Sequence, residues 1–338
     1  MLRIGIPASE RLRACVWPAM LSCAMLASGS TFAQARAGDA ANASPSPLAA
    51  TYQRLGELLA PELIGADDAA SHWVSGRLAS LEPALQSRNF AAAFARDSKE
   101  MLFIASLADA CMRPVSPVQP ECADRDALGY WSSRDAGNAV PWLLQAERAR
   151  RRNNVGSLVE NLESAARAAR YDDYSGRGGA VFLSVLMPLA PAADKAAAVL
   201  YAQAQGATPL ASPLAALEAV CAASTRALDA RIAPHCLRLG GLMAERASSY
   251  TNQRAGAQVA QAAAGTDSAR AVASSAARTT VAEQDRCREA FATLEKLASG
   301  PAGERERAQA LGERYLTDRM HGGEPPACIG LHRALTTR

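Results

Sequence analysis

The chain is 338 residues long, 49% hydrophobic but only 5% aromatic, with a formal net charge of +3 at pH 7. So small a charge excludes the basic stripe a nucleic-acid surface requires, and the densest basic stretch, Arg148 to Arg152, is accounted for as the end of a helix. β-Branched and aromatic residues are scarce and no stretch alternates with period two, which excludes a sheet protein and makes the fold class all-α.

The N-terminal stretch sets Arg3, Arg11 and Arg13 before an apolar run from Ala14 to Leu21, continued by Ala24 to Ala27 and closed by Ala33-Gln34-Ala35. That is the order of a secretory signal, so residues 1–35 are expected to be cleaved near Ala33 or Ala35. The apolar part is shorter than the ~18 residues of a spanning helix and is interrupted by Pro18. Met20-Leu21-Ser22 is a poor lipidation context for Cys23. Cleavage would remove three arginines and one glutamate, taking the formal charge from +3 to +1. The expectation is a periplasmic or secreted protein without stable membrane insertion, with residues 36–47, rich in Ala, Ser and Pro, as a flexible leader.

Helical patterns then follow almost without interruption. They cover 48–60, then 69–86, bent or broken near Pro83, then a helix capped by Asn89 that carries Phe90, Phe94, Leu102, Ile104 and Leu107 as far as Cys111. Asn138 is placed to cap 139–149, with Pro141 in the first turn, where no helix hydrogen bond is lost. Arg148 and Arg150 to Arg152 complement the negative end of its dipole, and Asn153-Asn154 can close it. Ser157-Leu158-Val159-Glu160 reads as a capping box opening a second helix, with Leu158, Leu162, Ala165, Ala166 and Ala169 on one face. The two helices should pack antiparallel, with Trp142 in the angle between them. Ser175-Gly176-Arg177-Gly178-Gly179 lacks the preceding strand of a dinucleotide loop and reads as a turn. The apolar run 181–187 reads as a central helix, and Pro191 and Ser212-Pro213 open helices over 192–205 and 214–228. Helix 236–250 follows. The low-complexity stretch 251–279 is either a loosely packed helix, which we favour, or a mobile loop. Thr280-Val281-Ala282-Glu283 reads as a capping box for a helix to about 298, and Gly300-Pro301 turns into a last one ending near 320. Residues 48–338 are read as a single all-α, helical-repeat-like domain, with a subdivision considered near 205.

Trp142 and Ala146 sit where a tetratricopeptide repeat places Trp and Gly. Leu158, Leu162 and Ala165 sit where it places Ala, Phe and Ala, while Arg170 stands at its closing proline. Leu311-Gly312-Glu313-Arg314-Tyr315 repeats the Leu-Gly-x-x-Tyr spacing, with no helix expected after it. The hairpin thus resembles a degenerate tetratricopeptide repeat, and the chain as a whole resembles exported, helix-rich proteins of Gram-negative bacteria. The resemblance implies location and fold, a solenoid-like array of antiparallel hairpins, and no activity.

Two of the eight cysteines lie in the expected signal; Cys111, Cys122, Cys221, Cys236, Cys287 and Cys328 remain. An even number bound for an oxidising compartment reads as a disulfide framework. Cys111 with Cys122 and Cys221 with Cys236 each bracket a helix corner, which leaves Cys287 with Cys328 to hold the Gly322-Gly323-Glu324-Pro325-Pro326 tail. The alternative is a tetrahedral metal site of Cys287, His321, Cys328 and His332, serving a metal-dependent sensor. Exported thiol pairs are normally oxidised, so no metal or other cofactor is expected.

No nucleophile elbow, zinc helix, Cys-x-x-Cys pair or phosphate loop occurs. Asp67-Asp68 and Asp172-Asp173 read as solvated turns and caps, His72 and His235 as packed or surface histidines. Trp131, Arg134, Asp135 and Trp142 form the one cluster where aromatic and charged groups converge, either as a buried Trp pair with Asp135 satisfying loop amides or as a peptide-binding groove. The function expected is an exported helical scaffold binding a protein or peptide partner in the cell envelope. A hydrolase of envelope material without a recognisable motif is the enzymatic alternative.

Overall fold

Short polar side chains, Asp68, Asp126, Asn138, Asn154, Ser249 and Thr266, cap six of the helices among the described residues. In the computed structural model, which describes residues 47–113, 119–123 and 126–337, the regular elements are all helical. They are α1 (Pro47–Gly65), α2 (Ala69–Leu78), α3 (Pro83–Arg96), α4 (Met101–Met112), α5 (Pro120–Ala123), α6 (Ala127–Arg134), α7 (Ala139–Arg151), α8 (Val155–Arg167) and α9 (Ser175–Leu186). After a 3₁₀ turn at Ala192–Asp194 come α10 (Lys195–Gly206), α11 (Ala211–Val220), α12 (Ala223–Arg226), α13 (Ile232–Arg246), α14 (Tyr250–Ala263), α15 (Asp267–Ala298), α16 (Ala302–Gly322) and α17 (Glu324–Thr336). The all-α reading therefore holds for the described residues; the expected signal and the leader up to residue 46 lie outside them. No described helix is long and apolar enough to cross a membrane.

Asn138 caps α7 as expected, its side chain accepting from the Val140 amide at 3.2 Å. The α7 end also follows the sequence: Asn153 takes a left-handed φ of 56°, and the Asn154 amide returns to the Ala149 carbonyl at 3.0 Å. This closure satisfies carbonyls that would otherwise be orphaned. The next helix, however, is capped by Asn154 and not by Ser157, whose own amide donates to the Asn154 side chain.

Other boundaries are corrections. Of the two readings of 69–86, the break holds and the bend does not: α2 ends at Leu78, and Pro83, which has no amide to donate, begins α3. Asn89 lies inside α3, and the break comes at Asp97, whose side chain accepts from the Lys99 amide at 3.0 Å and competes with the helix. Residues 251–279 are helical, as favoured, but in two pieces, closely packed over α14 and largely exposed over 267–279, where only Ala273 is buried. They form α14 and the start of α15, with the break capped by Thr266, and α14 buries Asn252, Gln253, Gly256, Ala257 and Ala260. Thr280 starts no helix; it sits within α15 and its hydroxyl bonds the Ala276 carbonyl, as Thr does in helix interiors. Beyond Gly323, whose φ of 83° turns the chain, α17 stands where only a tail was expected. Leu311 to Tyr315 is thus followed by a helix after all.

Hairpins of successive helices form the body: α2 with α3, α7 with α8, α9 with α10, α13 with α14, and α16 with α17. The chain also returns on itself, for α8 packs on α13, α7 on α11, and both α9 and α10 on α16. One core runs from Leu55 to Ala247, crossing position 205, and a second joins Ala196, Val199 and Leu200 to α15, α16 and α17. Trp73, Trp131, Tyr171, Tyr201, Tyr250 and Tyr315 are the large buried anchors. Elsewhere alanine and glycine let helices approach closely. A Cβ built on Gly178 would run into the Gly206 carbonyl oxygen, and one on Gly206 into that of Gly178, so these two backbones cross in contact.

The six cysteines stand in the expected pairs at disulfide distance. Cα separations are 5.3 Å for Cys111 with Cys122, 5.7 Å for Cys221 with Cys236, and 5.2 Å for Cys287 with Cys328. The third ties α15 to α17.

Candidate functional site

Four links between helices meet at Asp172 and Asp173. Asp173 is fully buried and ties three of them together as an acceptor: from the Ser175 amide and hydroxyl at the start of α9, from the Leu210 amide before α11, and, around the α13–α14 link, from the Ser248 hydroxyl and from Asn252 Nδ2 at 3.1 Å. The fourth link joins through Glu324, whose amide donates to the Ser248 carbonyl at 2.7 Å and whose carboxylate accepts from the Tyr250 amide. Beside this hub, Asn138 holds the α8–α9 link to the start of α7, accepting from the Asp172 amide and donating to its carbonyl at 2.7 Å.

Over the hub lies a half-open cleft of about 170 Å³, bounded by residues 170–174, the first turn of α9, residues 246–248 and the end of α16. Four guanidinium groups line it. Arg170 donates to Asp135, which also accepts from the Tyr174 hydroxyl and from Asn138 Nδ2. Arg177 donates to Glu100 at 3.1 Å and lies 5.3 Å over the Tyr174 ring. Arg246 is exposed and, among the described residues, has only the Ala169 carbonyl as partner, at 3.3 Å.

Arg319 differs from the other three. Its side chain is only 3% exposed; Nη1 donates to the Tyr315 hydroxyl and Nη2 to the Ala207 carbonyl, at 3.2 and 2.8 Å. The nearest carboxylate oxygen, on Glu324, is 4.0 Å away, beyond hydrogen-bond reach. Its Nε is buried without a partner among the described residues. An unsatisfied buried donor costs about 1–3 kcal/mol, more when charged. Burial opposes the charge on Arg319, and Tyr315, Glu324 and Asp173 outweigh it, so the guanidinium pKa is held above its usual value. The Asp172 carboxyl, also in the lining, has its pKa raised by burial and by neighbouring Asp173.

Of the residues singled out from sequence, Trp131 and Asp135 stand behind the cleft. Trp131 is fully buried with its ring 6.1 Å from that of Tyr174, and Asp135 receives Arg170 and Tyr174 rather than loop amides. Arg134 and Trp142 do not line the cleft. Arg134 is exposed, over the Tyr130 ring, and Trp142 is half-buried, its indole N–H donating to the Ala136 carbonyl at 2.9 Å. Trp142 therefore does not fill the angle of its hairpin; Leu143, Leu144 and Ala146, all fully buried, occupy the inward face.

The glycine-rich run Ser175 to Gly179 is the first turn of α9 and not a separate turn. It was the local signal for this site, because glycines there let α9 settle against α10 and α16 with its positive end beside the cleft. Arg170, Arg246 and Arg319 carried no such signal. Asp67 pairs with Arg96 and Asp68 caps α2. The His72 ring lies 3.8 Å from Asp67, and burial lowers the His235 pKa. Near the tail, Cys287, Cys328 and Glu324 have ligand atoms within 4.8 Å of one another, in a group that includes neither His321 nor His332. With the two sulfurs at disulfide distance, thiolates for a metal would require reduction. No protein-family model matches the chain, and neither curated protein sequences nor solved structures yield a match.

Proposed function

We propose that this protein is an exported helical scaffold that binds a protein or peptide partner in the cell envelope, and that the arginine-lined cleft is where the partner docks. The supporting observation is the cleft's size and lining together. At about 170 Å³ it is smaller than the ~300–1,000 Å³ of pockets that enclose a small molecule, so it suits one projecting group of a larger partner. Pairing of all six downstream cysteines fits an oxidising compartment.

The tetratricopeptide-like reading belongs with this proposal. The α7/α8 hairpin supports it, and so does α16/α17, where Ala308, Gly312 and Tyr315 face inward with Cys328 and Leu331. We take the likeness to lie in the hairpins and not in the course of the chain, since contacts such as α10 with α16 go beyond the nearest-neighbour stacking of a solenoid.

The test compares proteins captured from envelope extract by the parent and by Ser248→Trp, which fills the cleft. The proposal expects a partner retained by the parent and lost by the variant. Identical sets, or none, would contradict it.

A further inference from the structure

The charges around the cleft narrow the chemistry of the docking group. Arg170 and Arg177 already hold Asp135 and Glu100. Arg246 has no carboxylate partner among the described residues, and Arg319 has Glu324 only at 4.0 Å. Two guanidiniums therefore lack a carboxylate within hydrogen-bond reach, against Asp172 in the lining and Asp173 beneath. That balance favours a group of one negative charge over a dianion. A guanidinium has five N–H donors, and the described residues take two of Arg319's, leaving Nε buried without a partner. The first turn of α9 adds the positive end of a twelve-residue helix.

Resting on the docking function proposed above, we infer that the cleft binds a carboxylate of an acidic peptide segment, with Arg319 as the buried donor and Arg246 as the outer clamp. A planar carboxylate presents two oxygens to a guanidinium fork, which a single-point cation such as lysine cannot match. The volume, equal to about five or six waters at ~30 Å³ each, accommodates one such side chain and not a folded surface.

Calorimetric titration of the oxidised protein with an N-acetylated, amide-capped triglutamate peptide tests this, with the triglutamine peptide and inorganic phosphate as comparisons. The glutamate peptide should bind and the glutamine peptide should not. Arg246→Ala, an exposed change that leaves the core intact, should weaken binding about tenfold or more, equivalent to ~1.4 kcal/mol. Arg319→Lys keeps the charge but not the fork and should weaken it as well. Equal binding of the two peptides, or an Arg246→Ala protein that binds as tightly as the parent, would overturn the inference. So would phosphate displacing the peptide at lower concentrations than glutamate peptide itself requires, which would make this a site for an inorganic oxyanion. Partner capture that survives failure of the titration would leave the scaffold standing and remove only the carboxylate; carboxylate binding without a captured partner would do the reverse.

Discussion

Asp173 and Asn252, 79 residues apart, meet in the interior, where the asparagine amide donates to the aspartate at 3.1 Å. The contact fixes α14 to the entrance of α9, and Asp173 also accepts from Leu210 and Ser248 in two further links. Asp173→Ala would leave several buried donors unpaired, each costing about 1–3 kcal/mol. The expected loss exceeds ~3 kcal/mol in denaturant titration. Asp173→Asn should lose less, since one acceptor oxygen survives.

Gly178 and Gly206 place two helix backbones in contact. Alanine at either position has to push α9 from α10, and overpacking of this kind costs about 1–3 kcal/mol. Gly241→Ala, with open space around its Cβ position, should be neutral or slightly stabilising by thermal unfolding.

The two tryptophans of the α6–α7 region should separate cleanly. Trp131→Ala, at a fully buried site, is expected to lose about 3–5 kcal/mol. Trp142→Ala should lose less, because the ring is half-buried and contributes one hydrogen bond to Ala136. Equal losses would place Trp142 in the core.

Asp172 should make stability depend on pH. Its folded pKa is raised, so the native state holds the proton more tightly than the unfolded chain does. Between the unfolded value of about 3.9 and the folded pKa, lowering the pH therefore stabilises the native state through this group, and above the folded pKa that benefit is gone. Asp172→Asn keeps an acceptor for the Tyr174 amide, 2.8 Å away in the parent. It should be at least as stable as the parent at pH 7 and lose its advantage near pH 4. A variant less stable than the parent at pH 7 would show the charged form to be favoured.

Oxidised protein should weigh less than reduced protein by six hydrogens for the six downstream cysteines. Loop entropy alone assigns about 3 kcal/mol to each of the two short loops and about 4 to the loop of 41 residues between Cys287 and Cys328. Cys328→Ser should therefore cost the most of the three single removals. Stoichiometric zinc on the reduced protein would return attention to His321 and His332.

Local signals in the sequence led to local structure. Asn138, Pro141 and Asn153-Asn154 mark α7 from end to end because each acts on its own backbone neighbours, and the cysteine pairs were legible because two of them close short corners. Thr280 misled because a capping box carries the same residues whether or not the helix has already begun, here at Asp267. The α17 helix was hidden by Gly322-Gly323 and Pro325-Pro326, which read as a tail although Gly at a turn followed by Pro in a first helical turn also describes a helix start. The cleft was beyond reach for another reason. Arg170, Arg246 and Arg319 are far apart in the chain and are assembled by the buried Asp173 and the half-buried Glu324, whose partners no spacing rule reveals.

Docking at the cleft turns on Arg319, whose Nε–H can be observed directly. In ¹⁵N–¹H spectra of the arginine side chains, with Arg319→Lys identifying the resonance, titration with the triglutamate peptide should move the Arg319 and Arg246 signals together and saturably. If both stay fixed while the peptide binds elsewhere, the cleft is not the docking site.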